Sequence, residues 1–207
     1  MEQFQQKKDI QVDANGVMDF PGSICSSLND EVIHGIPSKR VILKEGDIIS
    51  IDLVAYKDGF NGDCARTYTV GKVSEDAKRF VETTKQAFFE GIKFAKKGNR
   101  IGDISHAVET VANKYHLGVV RELCGHGVGH DLHEDPDIPN YGKPNTGPVI
   151  KEGMVFAVEP MINLGSRDVC ILDDGWKIVT YDEKPSAHFE HTVLVTHDGY
   201  EILTTGE

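Results

Sequence analysis

The sequence is poor in basic residues and lacks both long hydrophobic runs and paired cysteines. Its 207 residues include 22 lysines and arginines against 33 aspartates and glutamates, which gives a formal net charge of -11. Because nucleic acids and anionic membranes are bound by surfaces rich in lysine and arginine, this charge argues against both as main partners. No apolar run is long enough to span a bilayer, and the start, MEQFQQKKDI, lacks the hydrophobic stretch of a signal peptide.

Several common site motifs are also missing. The four cysteines form no CxxC pair, which argues against a disulfide framework or a thiolate zinc site and favours a reducing cytoplasm. There is no GxGxxG or GxxxxGKS/T phosphate loop, no GxSxG nucleophile elbow and no HExxH zinc motif. Any chemistry in this chain must therefore come from another arrangement of residues.

Hydrophobic periodicity predicts strands at both ends of the chain and two helices between them. The strands are expected at 47–56, 63–70, 154–162, 177–181, 187–196 and 200–204. Asp58-Gly59, between the first two, is typical of a tight turn and predicts an antiparallel hairpin. A helix is expected from Ser74, as N-cap, to a stop at Gly98, and a second from Asp103 to Gly118.

Two consecutive helices flanked by antiparallel strands indicate an α+β fold. No linker divides the chain, so residues 1–207 are predicted to form a single domain, with 1–19 as a divergent lead-in. The stretch 124–152 is rich in glycine, proline, histidine and aspartate and is expected to be irregular. Loops of this kind carry function more often than scaffolding.

Four carboxylates interrupt the predicted strands, where burial without a partner costs several kcal/mol. They are Asp52, Asp63, Glu159 and Glu190. Any one of them could pair with an arginine or face solvent, but few basic residues lie in strand interiors to pair with all four. Asp52 and Asp63 are expected close to opposite one another on the hairpin, where they repel unless a cation or a proton lies between them. A metal ion is the economical explanation.

The loop CGHGVGHDLHEDPDIPNYG adds histidines. A zinc site formed by His126 and His130 at helical spacing is disfavoured by the glycines at 125, 127 and 129, and a solvated loop is the other reading. His133 and the four carboxylates would make one nitrogen and four oxygen ligands, a set that two divalent ions balance in charge. Mn²⁺, Fe²⁺, Co²⁺ and Zn²⁺ all fit it.

These residues, in this order, resemble the type I methionine aminopeptidases of the creatinase/aminopeptidase family. The matching strings are ICSSLNDEVIHGIPS (24–38), GDIISIDLVAYKDGFNGDCARTYTVG (46–71), CGHGVGHDLHEDP (124–136), EGMVFAVEPM (152–161) and DDGWKIVTYDEKPSAHFEHTVLVT (173–196). The short interval between His133 and Glu159 is similar to the type I form. The resemblance implies the pita-bread fold, with two halves related by a pseudo-twofold axis and a curved antiparallel sheet backed by helices.

The resemblance also implies roles for single residues. Asp52 would chelate one of two metal ions, Asp63 and Glu190 would bridge both, and His133 and Glu159 would complete the other. His34 would contact the substrate near the scissile bond, Phe20 and Trp176 would form the wall and rim of the methionine pocket, and His126 is a further candidate for substrate binding. The substrate would be a peptide or nascent chain with a free N-terminus, so the ribosome is a candidate partner, and a monomer is expected.

The expected reaction is removal of the N-terminal methionine by a water that the two metal ions activate. Glu159 is the expected acceptor of the proton of that water, and His34 would steady the tetrahedral species or the departing nitrogen.

The sequence departs from the family pattern in three places. The second substrate-contacting histidine falls on Asn140, Val17 and Asp19 replace an aromatic and a glycine of the pocket, and most of the preceding helical region is missing. An aminopeptidase of altered specificity, X-Pro or broad, is therefore one alternative, and a non-catalytic peptide-binding relative is another.

Overall fold

A computed structural model of the chain describes residues 20–205 and the backbone of residues 11–12. This part contains the helices α1 (Glu75–Ile92) and α2 (Ile101–Lys114). Its strands are β1 (Gln11–Val12), β2 (Cys25–Leu28), β3 (Glu31–Ile33), β4 (Ile48–Lys57), β5 (Phe60–Thr69), β6 (Gly118–Val119), β7 (Cys124–Gly127), β8 (Glu134–Pro139), β9 (Val155–Val158), β10 (Met161–Asn163), β11 (Val169–Ile171), β12 (Ile178–Thr180), β13 (Ser186–His188), β14 (His191–Val195) and β15 (Tyr200–Ile202). Two consecutive helices among antiparallel strands give the α+β class that was predicted.

The strands pair antiparallel in four sheets. In the first sheet β5 runs along one edge of β4, while β1 and β2 share its other edge. The largest sheet has the order β15-β14-β9-β7-β8, and two smaller sheets have the orders β13-β10-β6 and β11-β12-β3. None of the helices in the described part of the chain is long and apolar enough to cross a membrane.

The predicted hairpin is present as β4 and β5. Asp58 and Gly59 have φ angles of 52° and 89°, the conformation that a two-residue turn between twisted strands requires. The register pairs Asp63 with Val54, and Asp52 with Ala65. The expectation that Asp52 and Asp63 lie opposite one another is therefore wrong: they are diagonal neighbours on one face, two residues apart in register.

Both predicted helices exist, with different ends. Ser74 caps α1, since its hydroxyl accepts a hydrogen bond from the Ala77 N–H, but the helix ends at Ile92 rather than near Gly98. The residues between form turns, and Gly98 adopts a φ of 95° after them. Helix α2 begins two residues before Asp103, because the Asp103 carboxylate accepts a hydrogen bond from the Arg100 N–H and so occupies the third helical position.

The main hydrophobic core lies between α1, α2 and the largest sheet. Its buried members include Phe88, Ile104, Phe156, Phe189 and Val193. This core fixes the strands that carry the candidate site, because one face of β9 and β14 packs on it while the other faces away.

Two strands predicted as continuous are broken. The segment 154–162 forms β9 and β10 with Glu159 and Pro160 between them, and 187–196 forms β13 and β14 with Glu190 at the break. Proline has no N–H to donate to a ladder, which favours the first break. The stretch 124–152 was predicted to be irregular, and this is wrong in part because it contains β7 and β8.

Candidate metal centre

Strand β5 is bound to the segment that links β13 and β14, and this contact brings two of the carboxylates together. The Glu190 N–H donates to the Ala65 carbonyl at 2.8 Å. The Thr192 hydroxyl accepts from the Asp63 N–H at 2.8 Å and donates to the Asp63 carbonyl at 2.9 Å. The backbone of Glu190 is thus held by the backbone of β5, and the backbone of Asp63 is held by the buried hydroxyl of Thr192.

All five predicted metal ligands line one cavity of about 60 Å³, enough for several water-sized species. The lining residues are Phe20, Cys25, Ile33, His34, Asp52, Leu53, Val54, Asp63, His126, Leu132, His133, Glu159, His188 and Glu190. None of these lining residues is a lysine or an arginine, so no fixed positive charge faces the carboxylates across the cavity.

The carboxylates of the cavity hold their protons unusually tightly. Burial raises the pKa of Asp52 to about 7. Burial also raises the pKa values of Asp63, Glu159 and Glu190 well above their usual range, and the charges of Asp63 and Asp52 add to the effect on the two glutamates. Each carboxylate makes its neighbours harder to ionise, so a bound cation would relieve a large part of this repulsion.

Buried carboxylate oxygens without a hydrogen-bond partner also favour a bound cation. Oδ1 of Asp63 and Oε1 of Glu190 are buried without a hydrogen-bond partner. Asp63, His126 and Glu190 each offer a ligand atom within 4.8 Å of the others. Carboxylate oxygens and imidazole nitrogens are the donors that Mn²⁺, Fe²⁺, Co²⁺ and Zn²⁺ bind, so the residues present fit a divalent metal centre.

The three histidines His126, His130 and His133 occupy different places. The His126 and His133 rings lie 4.3 Å apart at the cavity, whereas His130 stacks on exposed Phe60 and lies outside it. His126 Nδ1 donates to the Gly127 carbonyl at 2.9 Å, which leaves Nε2 3.4 Å from Oε1 of Glu159. Burial lowers the pKa of His126 to about 4 and also lowers that of His133, so both rings are neutral at neutral pH.

An aromatic group forms the other side of the site. The Trp176 ring meets Phe20 edge-on at 5.4 Å and His34 at 6.5 Å. Trp176 is not among the residues that line the cavity, and it packs against Phe20. His34 has a φ of 59°, a strained conformation for a residue other than glycine that is common at functional sites.

Asn140 does not line the cavity. Its buried amide donates to the backbone carbonyl of Glu159 at 2.9 Å, so it supports the residue that faces the cavity. Val17 and Asp19 lie outside the described residues. Sequence reasoning missed His188, a buried residue of the cavity wall. The alternation in AHFEHTVLVT could have revealed it, since His188 and Glu190 are two residues apart.

Substitution of Gly125 by alanine is expected to destabilise the protein by about 1–3 kcal/mol through overpacking. A Cβ at this position would lie 2.3 Å from the carbonyl oxygen of Ala157, in the strand that leads to Glu159. Urea unfolding measures the change. Gly199→Ala is the control, because a Cβ there meets no atom within 4 Å, and equal stability of the two variants would contradict the prediction.

Substitution of Asn140 by alanine should cost about 1–3 kcal/mol of stability, because it leaves the buried Glu159 carbonyl without its donor. The matched control is Asn113→Ala on the exposed face of α2, expected to stay within about 0.5 kcal/mol of wild type. Thermal unfolding compares them, and an unchanged midpoint for Asn140→Ala would show that this hydrogen bond contributes nothing.

An α+β fold with a buried group of carboxylates and imidazoles is the arrangement of a metal-dependent hydrolase. The chain matches the model of metallopeptidase family M24 over residues 1–197 and belongs to that family. It is 52% identical over 203 residues to methionine aminopeptidase 1 of Bacillus subtilis, a match that covers 98% of this chain and 82% of that protein.

Solved structures show the same relationship. The methionine aminopeptidase from Rickettsia prowazekii is 47% identical, with a TM-score of 0.87 over 89% of this chain and 75% of that one. The prolidase from Pyrococcus furiosus is 26% identical, with a TM-score of 0.70 over 89% of this chain and 49% of that one. These similarities confirm the resemblance to the methionine aminopeptidases and the predicted pita-bread fold. Membership of a metallopeptidase family also implies the use of divalent metal.

Proposed function

We propose that the chain removes the N-terminal methionine from newly made peptides and uses two divalent metal ions. The observation that carries the proposal is the convergence of four carboxylates and an imidazole on one cavity beside an aromatic group. The ligands would be Asp52, Asp63, His133, Glu159 and Glu190. The similar proteins from Bacillus subtilis, Clostridium acetobutylicum and Rickettsia prowazekii are named methionine aminopeptidases, which supports the choice of substrate.

Each ligand has a place in this arrangement. Asp63 and Glu190 would bridge the ions, since their backbones are held side by side by hydrogen bonds to the Thr192 hydroxyl and to the Ala65 carbonyl. Asp52 would bind on one side, while Glu159 and His133 would bind on the other. When bound, divalent ions lower the pKa of a coordinated water and polarise the scissile carbonyl. The ion could be Mn²⁺, Fe²⁺, Co²⁺ or Zn²⁺.

Glu159 is the proposed proton carrier. It takes the proton of the attacking water and delivers it to the leaving amine. Its carboxylate is buried at the cavity, and burial and the charges of Asp63 and Asp52 raise its pKa well above the usual range. Its position at the cavity, among the residues that would hold the ions, suits it to exchange a proton with the attacking water.

The aromatic group is the proposed methionine pocket. Phe20 is buried against the edge of Trp176, and a thioether makes favourable contacts with ring edges of this kind. His34 lines the cavity 6.5 Å from the rings of Phe20 and Trp176, and it would hydrogen-bond the tetrahedral species. His126, which also lines the cavity, would contact the substrate. Burial lowers the pKa of His34, so it would act as a neutral donor.

The free α-amine of the peptide would set the register, so that only the first residue is removed. We place the chain in the cytoplasm as a monomer that acts as a single domain, with the nascent chain as substrate and the ribosome as a candidate partner. Nucleic acids and membranes have no part in the proposal.

Two other functions are alternatives to this proposal. The similarity to prolidase structures favours an X-Pro or broad aminopeptidase as the second candidate. A non-catalytic peptide-binding protein is the third, and the presence of all five candidate ligands argues against it.

A peptide panel tests these functions. The protein is incubated with Met-Ala-Ser, Leu-Ala-Ser and Met-Pro-Pro peptides and with Mn²⁺, Fe²⁺, Co²⁺ or Zn²⁺, and released amino acids are quantified alongside bound metal. Release of methionine from Met-Ala-Ser, with little leucine released, is the expected result. Faster cleavage before proline would favour the second candidate, and bound metal without release of any amino acid would favour the third.

A further inference from the structure

We propose that His188 is a positioning residue for Glu159. Its Nε2–H would donate a hydrogen bond to Oε2 of the Glu159 carboxylate and so leave Oε1 available as a metal ligand. The inference rests on the metal centre of the proposed function and assigns a task to a residue that carries none so far.

The backbone of His188 is fixed on both sides by one hydroxyl. Thr67 Oγ1 accepts from the His188 N–H at 2.9 Å and donates to the His188 carbonyl at 2.9 Å. Thr67 is itself buried in β5, and β13 pairs His188 with Met161 of β10. The imidazole therefore projects from a rigid point, which is a requirement for orienting another side chain.

The side chain of His188 faces the cavity. The next residue, Phe189, points into the main core, so His188 and Glu190 share the opposite side of the segment. His188 is only 2% exposed, and neither ring nitrogen has a hydrogen-bond partner. A buried polar group without a partner costs about 1–3 kcal/mol, so this imidazole calls for an explanation.

Two carboxylates lie close to Nε2 of His188. It lies 3.7 Å from Oε2 of Glu159 and 4.0 Å from Oε2 of Glu190. When these carboxylates are ionised, as metal binding requires, a proton on Nε2 is attracted by both, whereas a lone pair there would be repelled. Closing the 3.7 Å separation from Glu159 to hydrogen-bond distance would give a charge-assisted hydrogen bond, which is among the strong ones in proteins.

Direct coordination of metal by His188 fits the observations less well. A ligating histidine usually donates its other ring N–H to an acceptor. Nδ1 of His188 has no such acceptor.

Glu159 is then held at both ends. Asn140 donates to its backbone carbonyl at 2.9 Å, and the proposed hydrogen bond from His188 would hold Oε2. Oε1, which faces His126 Nε2 at 3.4 Å, is left free on the side of the ligand group. Partners of this kind typically change metal affinity by about 10–100-fold when they are removed.

Two variants of the full chain separate a hydrogen bond from a metal ligand. His188→Gln keeps an N–H donor of similar reach, and His188→Leu keeps the bulk without any donor. Each is titrated with Co²⁺ by calorimetry and by visible absorption, which reports the coordination of the ion. His191→Gln is the control, because His191 is also buried but bonds to Thr204 and packs on Phe88.

The proposal expects His188→Leu to bind Co²⁺ about 10–100-fold more weakly with altered absorption bands, and His188→Gln and the control to resemble wild type. Wild-type affinity and spectrum in His188→Leu would overturn it. Equal loss in both His188 variants would also overturn it, because only a coordinating imidazole gives that result. Failure of the wild-type protein to bind Co²⁺ would refute the metal centre itself. A wild type that binds Co²⁺ without releasing methionine would refute only the proposed substrate.

Discussion

Glu190→Gln is expected to lower kcat/KM for a Met-Ala peptide by at least about 1,000-fold, the scale on which loss of a central electrostatic group acts in enzymes. Glutamine keeps the shape of the side chain and removes the negative charge of the carboxylate that would bridge the two ions. Glu190 is 2% exposed, its Oε1 has no other partner, and its backbone is bound to β5, so no neighbouring acid can move into its place.

The same substitution should leave the metal-free protein as stable as wild type or more so at neutral pH. It removes one of several carboxylates whose mutual repulsion burial intensifies. Activity and thermal unfolding with and without metal are measured in parallel. Glu201→Gln, on the exposed strand β15, is the control and should change neither. Normal turnover by Glu190→Gln would refute the bridging role.

Metal ions are expected to stabilise the protein strongly, and more so at pH 8 than at pH 6.5. At a free ion concentration 100 times the Kd, binding adds about 2.7 kcal/mol. For a chain of this size that raises Tm by roughly 5–10 °C. The pH dependence arises because protons and metal ions compete for the same carboxylates.

Whether stability rises or falls with pH follows from the direction of each pKa shift. The folded-state pKa of Asp52 is raised to about 7 from an ordinary 3.8, so its contribution to stability is fully present below pH 3.8 and is lost as pH rises through 7. Burial shifts Asp63, Glu159 and Glu190 in the same direction. The buried histidines act oppositely, because their lowered pKa values remove stability only below about pH 6.5.

Between pH 6.5 and 8, the change in stability of the metal-free protein therefore reports on the carboxylates rather than the histidines. Metal-free protein should unfold at a lower temperature at pH 8 than at pH 6.5, and added Mn²⁺ should remove most of that difference. Differential scanning calorimetry with EDTA or Mn²⁺ measures both curves. A metal-free protein whose Tm rises over this window would contradict the assignment of raised pKa values to the cavity carboxylates.

Features with local causes could be predicted from the sequence. The turn at Asp58-Gly59 and the cap at Ser74 depend on a few adjacent residues, and both are present. Pro160 is a local signal for the break at Glu159, but the break at Glu190 could not be predicted in the same way, because it occurs where the chain passes from one sheet to another. The offset of Asp52 from Asp63 depends on the register of the turn, which the separation of the residues in sequence does not fix.

The same distinction applies to the site. The carboxylates attract attention because a charge in a hydrophobic strand is anomalous, and all four line the cavity. A histidine in a strand is not anomalous, so His188 gave no such signal. Its burial depends on Thr67, a residue 121 positions away whose hydroxyl holds its backbone. The support given by Asn140 to Glu159 likewise exists only after β8 and β9 have come together.

The hydrogen bonds between Asp63 and Thr192 join residues 129 positions apart. Such a long-range contact is expected to form late in folding. Closing the loop between its two residues costs entropy, and only the strand pairing that follows offsets this cost. During synthesis on a ribosome, the N-terminal hairpin would emerge well before its partner segment exists. We therefore expect no metal centre to form in a new molecule until the segment that carries Glu190 and Thr192 has been synthesised and has left the exit tunnel.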